Sequence, residues 1–169
     1  MAGKLIIQFS LLACLIFSLS FSAGAAEDRQ KASSLLKEAV VLYEKGNYDR
    51  AAELLAEAIK ADANYPELHD QLGYTLLKKK DFDGATNSFN TALKINPRFR
   101  TSRTGIGLVQ YHKGDLKGAE ETLKEALTLN PYPAMTHYAL GLVYEKSGDY
   151  EKSIHHFKEG IRTFKGGKR

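Results

Sequence analysis

The sequence predicts an all-α array of four helix-turn-helix hairpins, eight helices in all. Three observations carry that prediction. Residue types recur every 34 positions without insertion from Ala32 to Gly167. Small residues hold fixed places in the period: Ala39, Gly73, Gly107 and Gly141; Ala51, Ala85, Ala119 and Ser153; Ala58, Ala92, Ala126 and Gly160. Turn-forming residues punctuate each period. A unit of this length suits two short helices joined by tight turns better than one helix. Where two helices cross closely, only Gly, Ala or Ser lets the backbones approach. The large column Leu55, Phe89, Leu123 and Phe157 then fills the space between the axes.

The first helix is predicted over Asp28 to Lys45, where Gly46 ends it and Asn47 caps the second, Tyr48 to Ala61. Pro66 opens the third, which runs to Lys79. Lys80-Asp81 follows it in place of a glycine-led pair, so that turn is expected to be slightly strained. The fourth spans Phe82 to Ile95 and is stopped by Asn96-Pro97. The fifth, Arg100 to Lys113, ends on Gly114-Asp115, and the sixth runs from Leu116 to Leu129 before Asn130-Pro131. The seventh, Ala134 to Ser147, ends on Gly148-Asp149, and the eighth covers Tyr150 to Phe164. The units are therefore 32–65, 66–99, 100–133 and 134–167, with 26–31 extending the first helix.

With these units in place, the sequence resembles the tetratricopeptide repeat. Leu72-Gly73, Ile106-Gly107 and Leu140-Gly141-Leu142-Val143-Tyr144 match that family's Leu-Gly-x-x-Tyr core. Its early Trp column holds Leu35, His69, Arg103 and His137 here, and its first Tyr column Leu42, Leu76, Gln110 and Tyr144. Ala63 stands where Pro is usual. These departures are expected to weaken local packing without changing the architecture. The resemblance implies a right-handed α-solenoid whose first helices line a concave, protein-binding face.

Residues 1–25 read as an address. Lys4 precedes the apolar run Leu5 to Phe21, and Ala23-Gly24-Ala25 offers a small-x-small site, so a signal peptide cleaved after Ala25 is expected. Two alternatives share the segment: an uncleaved membrane anchor, and lipidation at Cys14 within Leu11-Leu12-Ala13-Cys14. Every version places the rest of the chain in the periplasm or outside the cell, and membrane association follows only from retention or lipidation.

At 169 residues, 43% hydrophobic and 26% charged, the chain fits one folded unit. Its net charge of +4 alternates along the array instead of gathering on one stretch, which argues against nucleic acid. Chemistry is lacking by pattern. His155-His156 are helix neighbours pointing about 100° apart. His112 and His137 can approach between repeats, but no third ligand is implied. Gly105-Ile106-Gly107 falls inside a helix without the strand or Lys of a phosphate loop. No catalytic residue, metal site or cofactor is expected.

The candidate site is the inner wall. Residues one period apart form rows, and Val40, Tyr43, Tyr74, Leu77, Leu108, Tyr111, Tyr138 and Leu142 make a trough suited to a peptide with apolar anchors. Tyrosine hydroxyls are expected to select the peptide's polar groups. Gly105 reads either as a dent in the trough or as a loosening of its helix. Relatives that clamp peptide C-termini use Lys, Asn and Arg, but the matching places here include Leu36, Val40, Tyr74 and Thr101. A second candidate interface is the final helix, where Ile154, Phe157 and Ile161 have no predicted cover and could pair with a partner or in a homodimer. The resemblance implies an accessory of secretion, pilus, outer-membrane or cell-wall assembly; the alternative is a structural scaffold in which the trough or the bare end binds another copy of the chain.

Overall fold

A computed structural model describes residues 24, 26–129 and 133–166. The expected signal segment with Cys14, the cut after Ala25, the Asn130-Pro131 stop and the Gly167 to Arg169 end lie outside the described residues. Among the described residues there are eight helices and no strand. They are α1 (26–44), α2 (Tyr48–Ala61), α3 (Pro66–Lys78), α4 (Phe82–Ile95), α5 (Arg100–Lys113), α6 (Leu116–Leu129), α7 (Ala134–Ser147) and α8 (Tyr150–Gly166).

The turn inside each hairpin is the same device four times. A residue in the left-handed region ends the first helix: Gly46 at φ 79°, Lys80 at 62°, Gly114 at 87° and Gly148 at 84°. The next residue caps the second helix with its side-chain oxygen. Asn47 accepts from the Arg50 amide, Asp81 from Gly84, Asp115 from Gly118 and Asp149 from Lys152, at 2.9–3.3 Å. Lys80 carries a Cβ where the other three turns use glycine, so the strain expected from its sequence is present as a positive φ. Replacing it with Gly is expected to stabilise the chain by about 1 kcal/mol, read as a higher urea midpoint at unchanged slope.

The two helices of a hairpin pack on one another, α1 on α2 through Ala32, Ala39, Leu54, Leu55 and Ala58, and the second helix then packs on the first helix of the next hairpin. First helices also touch one another, α3 with α5 and α5 with α7. The small columns explain why this spacing is possible. Ala39, Ala51, Ala58, Ala85, Ala92, Ala119 and Ala126 are all 0% exposed. A Cβ added to Gly73 would lie 2.5 Å from the Phe89 ring, and one on Gly107 would lie 2.5 Å from Leu123 Cγ. Gly141 stands in the same relation to Phe157. One departure from the family pattern has a visible cost: Gln110, in the Tyr column, buries Oε1 without a hydrogen-bond partner.

Gly105 makes no dent in the trough. Phe89 of the preceding hairpin fills the space its missing side chain leaves, and a Cβ there would overlap the ring. Phe89 therefore sits between glycines of two successive first helices, with Tyr74 edge-on at 5.0 Å between ring centroids.

Candidate functional site

The inner face gathers residues from all four hairpins. A concavity of about 430 Å³ is lined by Tyr43 from α1, Tyr74 and Leu77 from α3, Leu108 from α5, and Tyr138 and Leu142 from α7. These are six of the eight residues expected in the trough. Tyr111 lies beyond its edge, beneath Lys146, whose Nζ is 4.8 Å from the ring centroid and also donates to the Tyr111 carbonyl. Val40 is half-buried on α1 and does not line it.

The tyrosines differ in what they can offer. Tyr74 Oη already donates to the Thr101 carbonyl at 2.8 Å, and burial holds its phenol well above the ordinary value. It therefore forms part of the wall and ties α3 to α5, and its hydroxyl is committed before any ligand arrives. Tyr43 packs edge-on to Tyr48, and burial raises its phenol as well. Tyr138 is 51% exposed and is the most open of the tyrosines that line the concavity.

Beneath the floor, polar side chains lock successive first helices. Asp70 accepts from Ser102 Oγ at 2.6 Å and from Thr101 Oγ1 at 2.9 Å, and Thr104 and Thr136 share a buried hydroxyl pair at 2.8 Å. Desolvation pushes the Asp70 carboxyl up to about 6, the two hydroxyls oppose the shift, and Glu67 adds to it. A carboxyl raised in the folded state contributes stability that is complete below its unfolded value near 3.9 and is lost as pH rises through the folded value. Stability is thus expected to fall by up to about 3 kcal/mol from this group between pH 4 and pH 7. Urea midpoints across that range should show the slope in the native chain and lack this component in Asp70→Asn.

Five further side chains line the concavity that sequence reasoning had not placed there: Lys78, Lys80, Phe82, His112 and Met135. Met135 lines it, and an available signal was an apolar residue in a column otherwise holding Ser33, Glu67 and Thr101. Phe82 enters from α4 and stacks on His112, with ring centroids 5.9 Å apart. His112 itself is pushed below its ordinary value, first by burial and then by Lys146, Lys78 and Lys80.

His112 does not meet His137. His137 Nδ1 is instead 3.0 Å from His156 Nδ1 within the last hairpin, and the His156 ring stacks on Tyr144. The contact of α7 with α8 inside one hairpin brings those rings together, while His112 stacks on Phe82 instead. Among the described residues no group of three His, Cys, Asp or Glu side chains is arranged to hold a metal, and no helix is long and apolar enough to cross a membrane.

The expected end face is also visible. Phe157 and Ile161 line an apolar hollow of about 500 Å³ with Ala134, Met135, Tyr138, Gly160 and Phe164. Phe157 leans on Tyr138 and Gly141, while Ile161 is 58% exposed and Ile154, 54% exposed, lies outside the hollow. Met135 and Tyr138 border both hollows, so the end face is continuous with the inner wall.

Models of the tetratricopeptide repeat match residues 42–103, 107–148 and 134–166. A thermophilic repeat protein of this kind from Thermus thermophilus is 27% identical, with a TM-score of 0.71 over 78% of this chain and 74% of that one. MamA is 20% identical, with a TM-score of 0.63 over 81% of this chain and 80% of its own. The first repeat domain of Spaghetti, solved bound to the HSP90 peptide SRMEEVD, is 21% identical at a TM-score of 0.64, over 71% of this chain and 95% of that one. The last two likenesses concern the fold alone. No curated protein matches the chain.

Proposed function

We propose that this chain, which belongs to the tetratricopeptide repeat family, holds a peptide segment of a partner protein against its inner wall. The observation that carries this reading is the concavity built by Tyr43, Leu77, Leu108, Tyr138 and Leu142 from first helices of all four hairpins. Apolar side chains of a partner would fill it, and the exposed Tyr138 hydroxyl would meet the partner's polar groups. The repeat fold is in general a protein-interaction module, and one member with the same fold is bound to a peptide. No enzymatic role is part of the proposal.

The proposed setting is extracytoplasmic, in the periplasm or beyond it, and rests on the order of charge, apolar run and small residues in 1–25. An accessory role in an envelope assembly would suit both features. A second reading has its own support: the apolar hollow around Phe157 and Ile161 suits self-association of a structural scaffold. Panning a random peptide library on the folded chain tests the first reading. Peptides binding one to one and competing for a single site support it. A chain that is oligomeric and takes no peptide supports the second.

A further inference from the structure

Three observations converge on one edge of the inner wall. Lys78, His112 and Lys146 occupy the same position in successive repeats, near the C-terminal ends of α3, α5 and α7, and all three are exposed. Lys78 and His112 line the concavity directly, and Lys146 lies across Tyr111 at its border. Lys80 lines it too, and it does so from the one hairpin turn that places a Cβ in the left-handed region. That strained residue directs an ammonium to the rim of the hollow, where glycine would leave nothing.

The neighbouring lysines behave differently. Lys79 pairs with Asp49 and Lys113 with Asp83, each at 2.6 Å. Among the described residues, Lys78, Lys80 and Lys146 take part in no such ion pair, and the charged groups acting on His112 are three lysines with no carboxylate among them. Lysines that answer an acid on their own chain contribute nothing to an incoming charge. Lys78, Lys80 and Lys146 make no salt bridge among the described residues and border an apolar floor, which is the complement of a segment carrying carboxylates next to apolar side chains.

We infer that the partner segment held by the inner wall is acidic, with Glu or Asp side chains flanking its apolar anchors and lying along the strip formed by Lys78, Lys80, His112 and Lys146. This rests on the groove reading above and specifies the class of peptide that the groove takes. Strong positioning by a bidentate fork is not involved, since Lys78, Lys80 and Lys146 offer point charges on flexible stems and His112, held neutral, offers only a ring nitrogen; selection is therefore by charge and weakens with salt. The position of the strip, at the C-terminal ends of the first helices, places the acidic flank towards the hairpin turns and the apolar anchors over Leu77, Leu108 and Leu142.

The test uses three short fluorescein-labelled peptides with blocked ends. They share leucine anchors and carry Glu, Gln or Lys at the flanking positions. Their binding is followed by anisotropy at low and raised salt. The Glu peptide is expected to bind at least about tenfold more tightly than the Gln peptide, and the Lys peptide most weakly. Salt should close the gap. A chain with Lys78→Gln and Lys80→Gly should lose the preference while remaining folded, because the second change relieves the turn. Lys79→Gln with Lys113→Gln alters net charge equally and should keep it. Equal binding of the Glu and Gln peptides would overturn the acidic assignment and leave the groove reading standing. A preference for Glu that survives Lys78→Gln with Lys80→Gly would also overturn the assignment. If no peptide binds, both readings fall together.

Discussion

Replacing Phe89 with alanine is expected to cost about 3–5 kcal/mol of folding stability, the largest loss from any single change proposed here. The reason lies in what surrounds the ring. Phe89 is 0% exposed, and its neighbours on two sides are Gly73 of α3 and Gly105 of α5. Glycines have no side chain to move into the space vacated, so the cavity can close only by bringing helices together, which the Asp70 and Tyr74 ties between α3 and α5 resist. Urea unfolding followed by circular dichroism measures the loss. Because each hairpin contacts only its neighbours, hydrogen exchange should accelerate first where α3, α4 and α5 meet. A companion variant makes the cause specific. Gly105→Ala should destabilise the native chain by roughly 1–3 kcal/mol yet be close to neutral in the Phe89→Ala background, since the clash it creates is with that ring. A loss below about 1 kcal/mol for Phe89→Ala would mean that the ring is not the wedge between the two first helices.

The second large effect concerns binding. Leu108→Asp combined with Leu142→Asp places two carboxylates on the floor of the inner hollow, on successive first helices. Both side chains are only half-buried, so the unfolded chain gains little advantage and helicity should be retained. A peptide selected against the native chain must then desolvate two charges without partners, and its affinity is expected to fall at least about thirtyfold, equivalent to roughly 2 kcal/mol. Isothermal titration calorimetry with one selected peptide reads this directly. Tyr74 is a poor choice for such an experiment, because its ring against Phe89 and its hydroxyl on Thr101 make it part of the packing between hairpins. Losing it would confound binding with stability. Tyr138, exposed and bordering both hollows, is the better aromatic probe.

Much of the fold was legible because its determinants are local or strictly periodic. The Gly-Asn and Gly-Asp turns announce themselves in two residues, and their Lys80-Asp81 variant announced its strain by lacking glycine. The small columns state where backbones approach, and five of the eight helices have the ends expected of them. In α3 and α8 the difference lies at the last turn. Lys79 takes the cap position of α3 because Lys80 beyond it turns left-handed, and α8 continues past Phe164 to Gly166 without a stop signal.

The site was less legible, and the reasons are geometric. A row of residues one period apart says which side chains share a face, but not how the curvature of the array tilts each one. Leu77 and Tyr111 belong to one row, yet the first lines the hollow and the second lies under Lys146 at its border. The role of Gly105 depends on a ring in the preceding hairpin, and that of the Tyr74 hydroxyl on a backbone carbonyl 27 residues away. Neither leaves a mark in the local pattern. The column of Lys78, His112 and Lys146 was present in the periodicity, but it carries meaning only once Lys79 and Lys113 are seen to be ion-paired and the column's two lysines are not.

The most direct test of a peptide-holding inner wall is a map of amide chemical-shift changes as a selected peptide is titrated into the labelled chain. Changes are predicted to cluster on α1, α3, α5 and α7, around Tyr43, Leu77, Leu108 and Leu142, with the second helices of the hairpins largely unperturbed. Changes confined to α2, α4 and α6 would contradict that assignment and move the binding surface to the outside of the array.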